Sequence, residues 1–280
     1  MKNVKNQLLI VSSLLLMLAF GACENSVNDL GDKTKESSTS ISDYTAILEI
    51  LDLSEIAEVT NESALKSMTS TDSFPCFEVS VHENDTAFWP RSWTFTYSDD
   101  SCTDYFGNVK QGSIHITLTD FWKNEGSLRT VTFENFKING NSLEGTRTIL
   151  NTGMNESDNL TFERKFEDAS FTRGDTATIY WSSTKNVEMV AGYSTFFAAD
   201  DEYLVSGSVE GTNYDGNAFT ITITEPLLYA KCSRYPVSGA ISIESEGGQS
   251  IDINYGDGTC DDLAQVTVDG ITSEVQISFN

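Results

Sequence analysis

Basic side chains are scarce in this chain of 280 residues: 17 lysines and arginines stand against 42 aspartates and glutamates, a formal charge of −25. A surface of that sign repels phosphate backbones and anionic head groups, which excludes nucleic acid as a partner and denies the polypeptide an electrostatic hold on a membrane. Histidine is scarcer still, only His82 and His115, and no Cys-x-x-Cys spacing occurs, so the common zinc constellations are missing. Gly-x-Ser-x-Gly, His-Glu-x-x-His and phosphate-cradling glycine loops are absent too, which removes the usual signatures of serine hydrolases, metalloproteases and nucleotide-binding folds. Only four prolines interrupt the chain. After residue 22, no apolar run approaches the ~20 residues that a membrane-spanning helix needs.

What the chain does have starts at its N-terminus. Lys2 and Lys5 precede an apolar run from Leu8 to Phe20, then come Gly21, Ala22 and Cys23. Residues 1–22 therefore read as a signal peptide, too short to span a bilayer and shaped for export and cleavage. A thiol after two small residues is the substrate of bacterial lipoprotein processing, in which the sulfur takes a diacylglycerol before cleavage makes Cys23 the N-terminus. Phe20 stands where such a lipobox usually has an aliphatic residue. Loss of Lys2 and Lys5, and of no acid, leaves 15 basic against 42 acidic side chains and a charge of −27 over 258 residues.

Residues 23–42 are rich in Ser, Thr, Asn and charge and poor in apolar groups, so they are expected to be a flexible tether. Over 43–66 the period changes. Ile47, Leu48, Leu51, Ile56 and Val59 recur at helical spacing, with Ser42 or Asp43 as N-cap, which predicts one amphipathic helix over roughly 43–58 that extends toward Lys66.

From Phe74 onward the period is two. Phe77, Val79 and Val81 share one face, as do Trp93, Phe95 and Tyr97, then Ile114, Ile116 and Leu118, then Phe219, Ile221 and Ile223, with Ser, Thr, Glu and His opposite. Turn signals such as Asn139-Gly140-Asn141 and Asp215-Gly216-Asn217 separate these runs. Residues 67–280 are thus expected to form an all-β antiparallel domain, a sandwich or a curved sheet with one wet face.

Two stretches of that domain repeat. Starting at Trp93 and at Ile251 the chain aligns without a gap: Tyr97 with Tyr255, Asp99 with Asp257, Cys102 with Cys260, Asp104 with Asp262 and Gly112 with Gly270. Cys76 lies 26 residues before Cys102, and Cys232 lies 28 before Cys260, which defines units at 74–120 and 228–280. A fainter echo links residues 136–146 with 203–212. Once Cys23 carries lipid, four cysteines remain in an oxidising compartment. Self-contained repeats predict the bridges Cys76–Cys102 and Cys232–Cys260, and the alternative ties Cys102 to Cys260. Asp99, Asp100 and Asp104, or Asp257, Asp261 and Asp262, offer oxygens that calcium uses, although the spacing is not that of an EF-hand and Asp-Gly is also a common hairpin turn. No other cofactor is indicated.

The lipobox-like start, the "YPVSG…IDINYGDGTCDD" ending and the twin acidic turns with their cysteines resemble a group of outer-membrane lipoproteins of the Bacteroidota that carry no assigned activity. The resemblance implies an outer-membrane envelope location through the N-terminal lipid and supplies no catalytic residue. The Asp-Thr-Ala tripeptides at 85–87 and 175–177 resemble the O-glycosylation acceptor of the same bacteria. Phe88, Trp89 and Arg91 form an aromatic, basic stretch suited to stacking on a glycan. The expected role is a binding or structural module facing a glycan or another envelope protein. Its rivals are an envelope hydrolase that uses a carboxylate pair and a carrier of an apolar ligand.

Lipidation at Cys23 is directly testable. Growth with a fatty-acid analogue should label the wild-type chain and leave Cys23→Ala unlabelled, and equal labelling of the two would refute the assignment.

Overall fold

A computed structural model describes residues 77–84, 87–97, 103, 108–174, 177–195, 200–230, 232–233, 235–248, 250–261 and 263–277. All of them belong to one unit, Thr39–Asn280. The signal peptide, Cys23, the tether, the 43–66 region, Cys76 and Cys102 lie outside the described residues.

The strands are β1 (Phe77–Asn84), β2 (Ala87–Tyr97), β3 (Lys110–Leu118), β4 (Leu128–Ile138), β5 (Asn141–Met154), β6 (Leu160–Arg173), β7 (Ala177–Ala191), β8 (Glu202–Thr212), β9 (Ala218–Tyr229), β10 (Ser238–Ser245), β11 (Ile251–Asp257), β12 (Leu263–Val268) and β13 (Ile271–Gln276). They form one 13-stranded sheet in which spatial order equals chain order. Every pairing is antiparallel, and the sheet does not close on itself. The all-β expectation is met by one continuous sheet, with no break in pairing that would divide it into two.

Alternation along each strand decides which side is dry. Trp93, Phe95, Tyr97, Ile114, Ile116, Leu118, Phe219 and Ile221 are all buried, as the period of two predicts. Ile223, in phase with them by sequence, is only partly buried, because the β9–β10 register slips beside it. We call the buried side the inner face. A strongly twisted sheet of this many strands rarely stays open without curling, and the loops report that curl: Lys123 between β3 and β4 donates from Nζ to the carbonyl of Tyr193 between β7 and β8. Its ammonium sits over the Trp122 and Tyr193 rings at 5.1 and 4.4 Å, and Trp122 stacks on the inner-face Phe162.

Turn chemistry follows the local sequence. Asn139-Gly140 and Asp269-Gly270 join β4 to β5 and β12 to β13 with positive φ at both central residues, the two-residue geometry that matches strand twist. The β5–β6 and β8–β9 turns share a second solution that pattern reading missed. Asn155 Oδ1 accepts from the backbone of Ser157 and Asn159, and Asn213 Oδ1 accepts from Asp215 and Asn217 at the same offsets.

Of the aligned pairs of the repeat, Tyr97 with Tyr255 and Gly112 with Gly270 fall among the described residues. Tyr97 and Tyr255 are both buried where the strand meets the acidic turn. Cys232 and Cys260 are bonded across the open end of the β10–β11 hairpin, Cα–Cα 5.9 Å apart. Gly112 and Gly270, however, have different jobs. Gly270 turns a hairpin, whereas Gly112 sits in β3 at a bulge facing β4, where an added Cβ would lie 2.2 Å from the Asn135 carbonyl oxygen. In the fainter echo, Gly145 and Gly211 do correspond: each gives room to a phenylalanine ring of the next strand, Phe166 and Phe219.

Gly126 has the same φ of +82° as Gly112 but open space around its missing Cβ. Gly126→Ala should therefore cost only the ~1–2 kcal/mol of left-handed backbone. Gly112→Ala should cost roughly 3 kcal/mol or more, because the bulge must also open. Urea denaturation of the two variants checks this, and equal losses would rule out crowding as the cause.

Candidate functional site

The acidic turn after β11 is organised by its own hydrogen bonds. Thr259 donates from its backbone N–H and Oγ1 to Asp257 Oδ1, at 3.2 and 2.8 Å, and the same hydroxyl lies 3.3 Å from Asp261 Oδ2. Asp261 Oδ1 also accepts from the Leu263 N–H at 3.1 Å. These Asx-type contacts hold the Asp257 carboxyl below the ordinary carboxylate range, chiefly through the Thr259 hydroxyl. Asp262, Asp99, Asp100 and Asp104 lie outside the described residues. Among the described residues, no group of three or more His, Cys, Asp or Glu side chains converges to hold a metal. The turn works as a staple, with Cys260 at its centre.

The aromatic, basic stretch lies in strand β2. Trp89 and Arg91 fall in phase with the buried Trp93, so they belong to the inner face, and the Arg91 guanidinium lies 5.5 Å from the Trp93 ring centroid. The Phe88 side chain is outside those described.

His115 lies on the outer face, part of a ladder between β2 and β3. Thr94 Oγ1 is 3.0 Å from His115 Nδ1, with Ser92–Thr117 and Thr96–Ser113 hydroxyl pairs on either side. His115 Nε2 meets Glu134 Oε2 at 3.0 Å. A hydroxyl, an imidazole and a carboxylate in line resemble a nucleophile relay, but the Glu134 side chain is 64% exposed and the three groups lie on the open face of three adjacent strands. The arrangement is cross-strand pairing.

The inner face holds groups that composition conceals. The buried polar residues include five cations, Lys110, Arg129, Arg147, Arg164 and Lys185, and one acid, Asp201. Register joins Arg91, Leu118, Arg129, Ile149, Arg164 and Lys185 into one row across β2 to β7, and sets Arg147 in the next row between Val131 and Phe166. Rings attend them: Arg164 lies over Tyr203 at 5.7 Å and Lys110 over Tyr97 at 5.9 Å. A signal for this exists in the sequence. Arg129 is in phase with Val131, Arg147 with Ile149, Arg164 with Phe162 and Phe166, and Lys185 with Val187 and Met189.

Strands β5 to β9 form an open groove of about 290 Å3, lined by the polar Thr152, Thr161, Asn186, Glu188 and Ser206 and by the apolar Phe162, Val187, Leu204, Val205 and Pro226. Glu188 Oε1 accepts from the amides of Asn159 and Asn155, at 2.7 and 2.8 Å, both in the β5–β6 turn. These two bonds, that from Asn159 first, hold its carboxyl below the ordinary range. Thr152 and Thr161 share a hydroxyl hydrogen bond of 2.7 Å. The groove thus presents one fixed carboxylate, an amide and several hydroxyls. No family model, curated protein or solved structure matches this chain.

A depressed carboxyl contributes stability above its unfolded pKa and loses it as pH falls through the folded value. Wild type should therefore melt above Glu188→Gln at pH 7, and the gap should shrink below about pH 4.3, the ordinary glutamate value. Paired melts between pH 7 and 3 test this, and a gap independent of pH would show that charge on Glu188 is not what the amides stabilise.

Proposed function

We propose that the chain is a lipid-anchored protein of the outer membrane whose sheet serves as a binding module, taking a hydroxyl-rich ligand such as an envelope glycan in the groove around Glu188. The anchor rests on the Gly21-Ala22-Cys23 sequence. The ligand class rests on the groove's chemistry: an oriented carboxylate, the Asn186 amide and the hydroxyls of Thr152, Thr161 and Ser206 match a sugar's hydroxyls in kind.

The lining also favours this reading over its rivals. A glycosidase needs two carboxyl groups about 5 to 10 Å apart across the scissile bond, and Glu188 is the single acid that lines the groove. A carrier of apolar molecules needs a dry, enclosed cavity, whereas this groove is open and five of its ten lining residues are polar, the Glu188 carboxylate among them. The carrying observation is that Glu188 is held by two amides while it faces an open groove, where a carboxylate serves recognition more than stability.

Isothermal titration of the lipid-free chain with oligosaccharides cut from the outer-membrane polysaccharide should give saturable binding. Glu188→Ala and Asn186→Ala should each weaken it by at least ~10-fold, about 1.4 kcal/mol. Absence of binding to every fragment, or unchanged affinity in both variants, would overturn the reading.

A further inference from the structure

The Glu188 carboxylate is half used. Both of its amide bonds, from Asn159 and Asn155, end on Oε1, and among the described residues no hydrogen bond or ion pair engages Oε2. The amides that aim it are themselves held by the turn, since Asn155 Oδ1 accepts from the backbone of Ser157 and Asn159 while its Nδ2 donates to Glu188. One oxygen is thus fixed by the fold, and the other is left for whatever enters the groove that Glu188 lines.

The exposed charges around that carboxylate share its sign. Glu156 and Asp158 are exposed in the β5–β6 turn, and Glu225 is exposed beside Pro226. Glu163 is a diagonal neighbour, because register sets Thr161 opposite Glu188 and Glu163 opposite Asn186. The cation beside them, Lys165, is held by Glu163 Oε1 at 2.6 Å, and Arg164 and Lys185 are buried on the inner face. An anionic ligand would be repelled by every one of these acids, whereas a cationic one is drawn in by all of them.

Chemistry beside the carboxylate narrows the cation further. Leu204 lies directly across from Glu188 on β8, and Asn186 lies across from Ser206 in the next row. The groove therefore sets an apolar side chain, an amide and the hydroxyls of Thr152, Thr161 and Ser206 around one negative charge. A lysine side chain or a polyamine would use the carboxylate and Leu204 and leave the amide and hydroxyls without ligand partners. An amino sugar has something for each: an ammonium, a ring face of C–H groups and several hydroxyls. We propose that the groove takes a glycan bearing an unacetylated amino sugar, with the ammonium on Glu188 Oε2, the apolar ring face on Leu204 and the hydroxyls toward Asn186, Thr161 and Ser206. The proposal rests on the groove being a glycan site and narrows its ligand from hydroxyl-rich to amine-bearing. The two asparagine bonds also hold the Glu188 carboxyl below its ordinary range, so its charge persists in mildly acidic conditions in which an amine is fully protonated.

Isothermal titration of the lipid-free chain at about pH 6, where amine and carboxylate are both charged, compares a glucosamine tetramer from chitosan with the matching N-acetylated tetramer from chitin. The two have the same rings, and the acetylated one carries no charge. The glucosamine tetramer should bind wild type at least about 10-fold more tightly. Glu188→Gln keeps an oxygen for the two asparagine amides and removes the charge, so in that variant the tetramers should bind alike. Equal affinities in wild type, a preference for the acetylated tetramer, or a preference that survives Glu188→Gln would overturn the proposal and leave the glycan reading in place. Binding of neither tetramer would overturn it as well, and the outer-membrane oligosaccharides would then decide the glycan reading separately. Tetralysine that competes as strongly as the glucosamine tetramer would also overturn it, because the carboxylate would then be a general cation site.

Discussion

Among the described residues each strand hydrogen-bonds only to the strands before and after it, so the core of the described sheet gathers on one of its faces. That constraint explains much of the rest. Inner positions must be apolar or otherwise satisfied, outer positions are left to serine, threonine and acid, and any residue out of phase is conspicuous. It also explains the glycines at the bulges. A sheet of this width accumulates twist, and Gly112 and Gly145 let neighbouring backbones or rings approach where a side chain would hold them apart. The meeting of Lys123 with Tyr193, across the strands between them, shows how far the curl has gone by β8.

The same constraint sorts charge. In a chain of −25, cations scattered over the acidic surface would each soften local repulsion. Instead five of them are buried on the face that holds the isoleucines and phenylalanines. Long basic side chains bury their methylene stems readily, but their heads demand compensation. The partition leaves an outer surface more acidic than the formal charge suggests and an inner surface of the opposite sign.

Much of this was legible in the residues. The period of two places Trp93, Phe95, Ile114, Ile116, Phe219 and Ile221 correctly, because burial of one face imposes that period and nothing competes with it. Asn139-Gly140 and Asp269-Gly270 announce hairpins, because positive φ at both positions is costly for most other residues. The nearly equal cysteine spacings, 26 and 28, point to the Cys232–Cys260 bridge. The gap-free alignment misleads at Gly112, since glycine serves both a bulge and a turn and the letter does not say which. The stretch around Trp89 reads as an aromatic, basic platform, and it lies in β2 with Trp89 and Arg91 in phase with Trp93. The Glu188 groove was illegible for a different reason: its carboxylate comes from β7 and its two amides from the β5–β6 turn, brought together by register alone. The cationic rows were legible in phase but hidden by the habit of assigning arginine to the wet side.

A sheet whose spatial order equals its chain order is also built from short-range parts. Contacts join residues tens of positions apart at most, so closing each hairpin constrains a modest loop, and the next strand finds a ready edge. Most β proteins of this size must bring distant strands together before any of them is rewarded, and they fold slowly for that reason. Here the chain can grow its sheet one strand at a time from wherever the first hairpin forms, much as stacked repeats extend. That order of events keeps the interval of exposed apolar strand short.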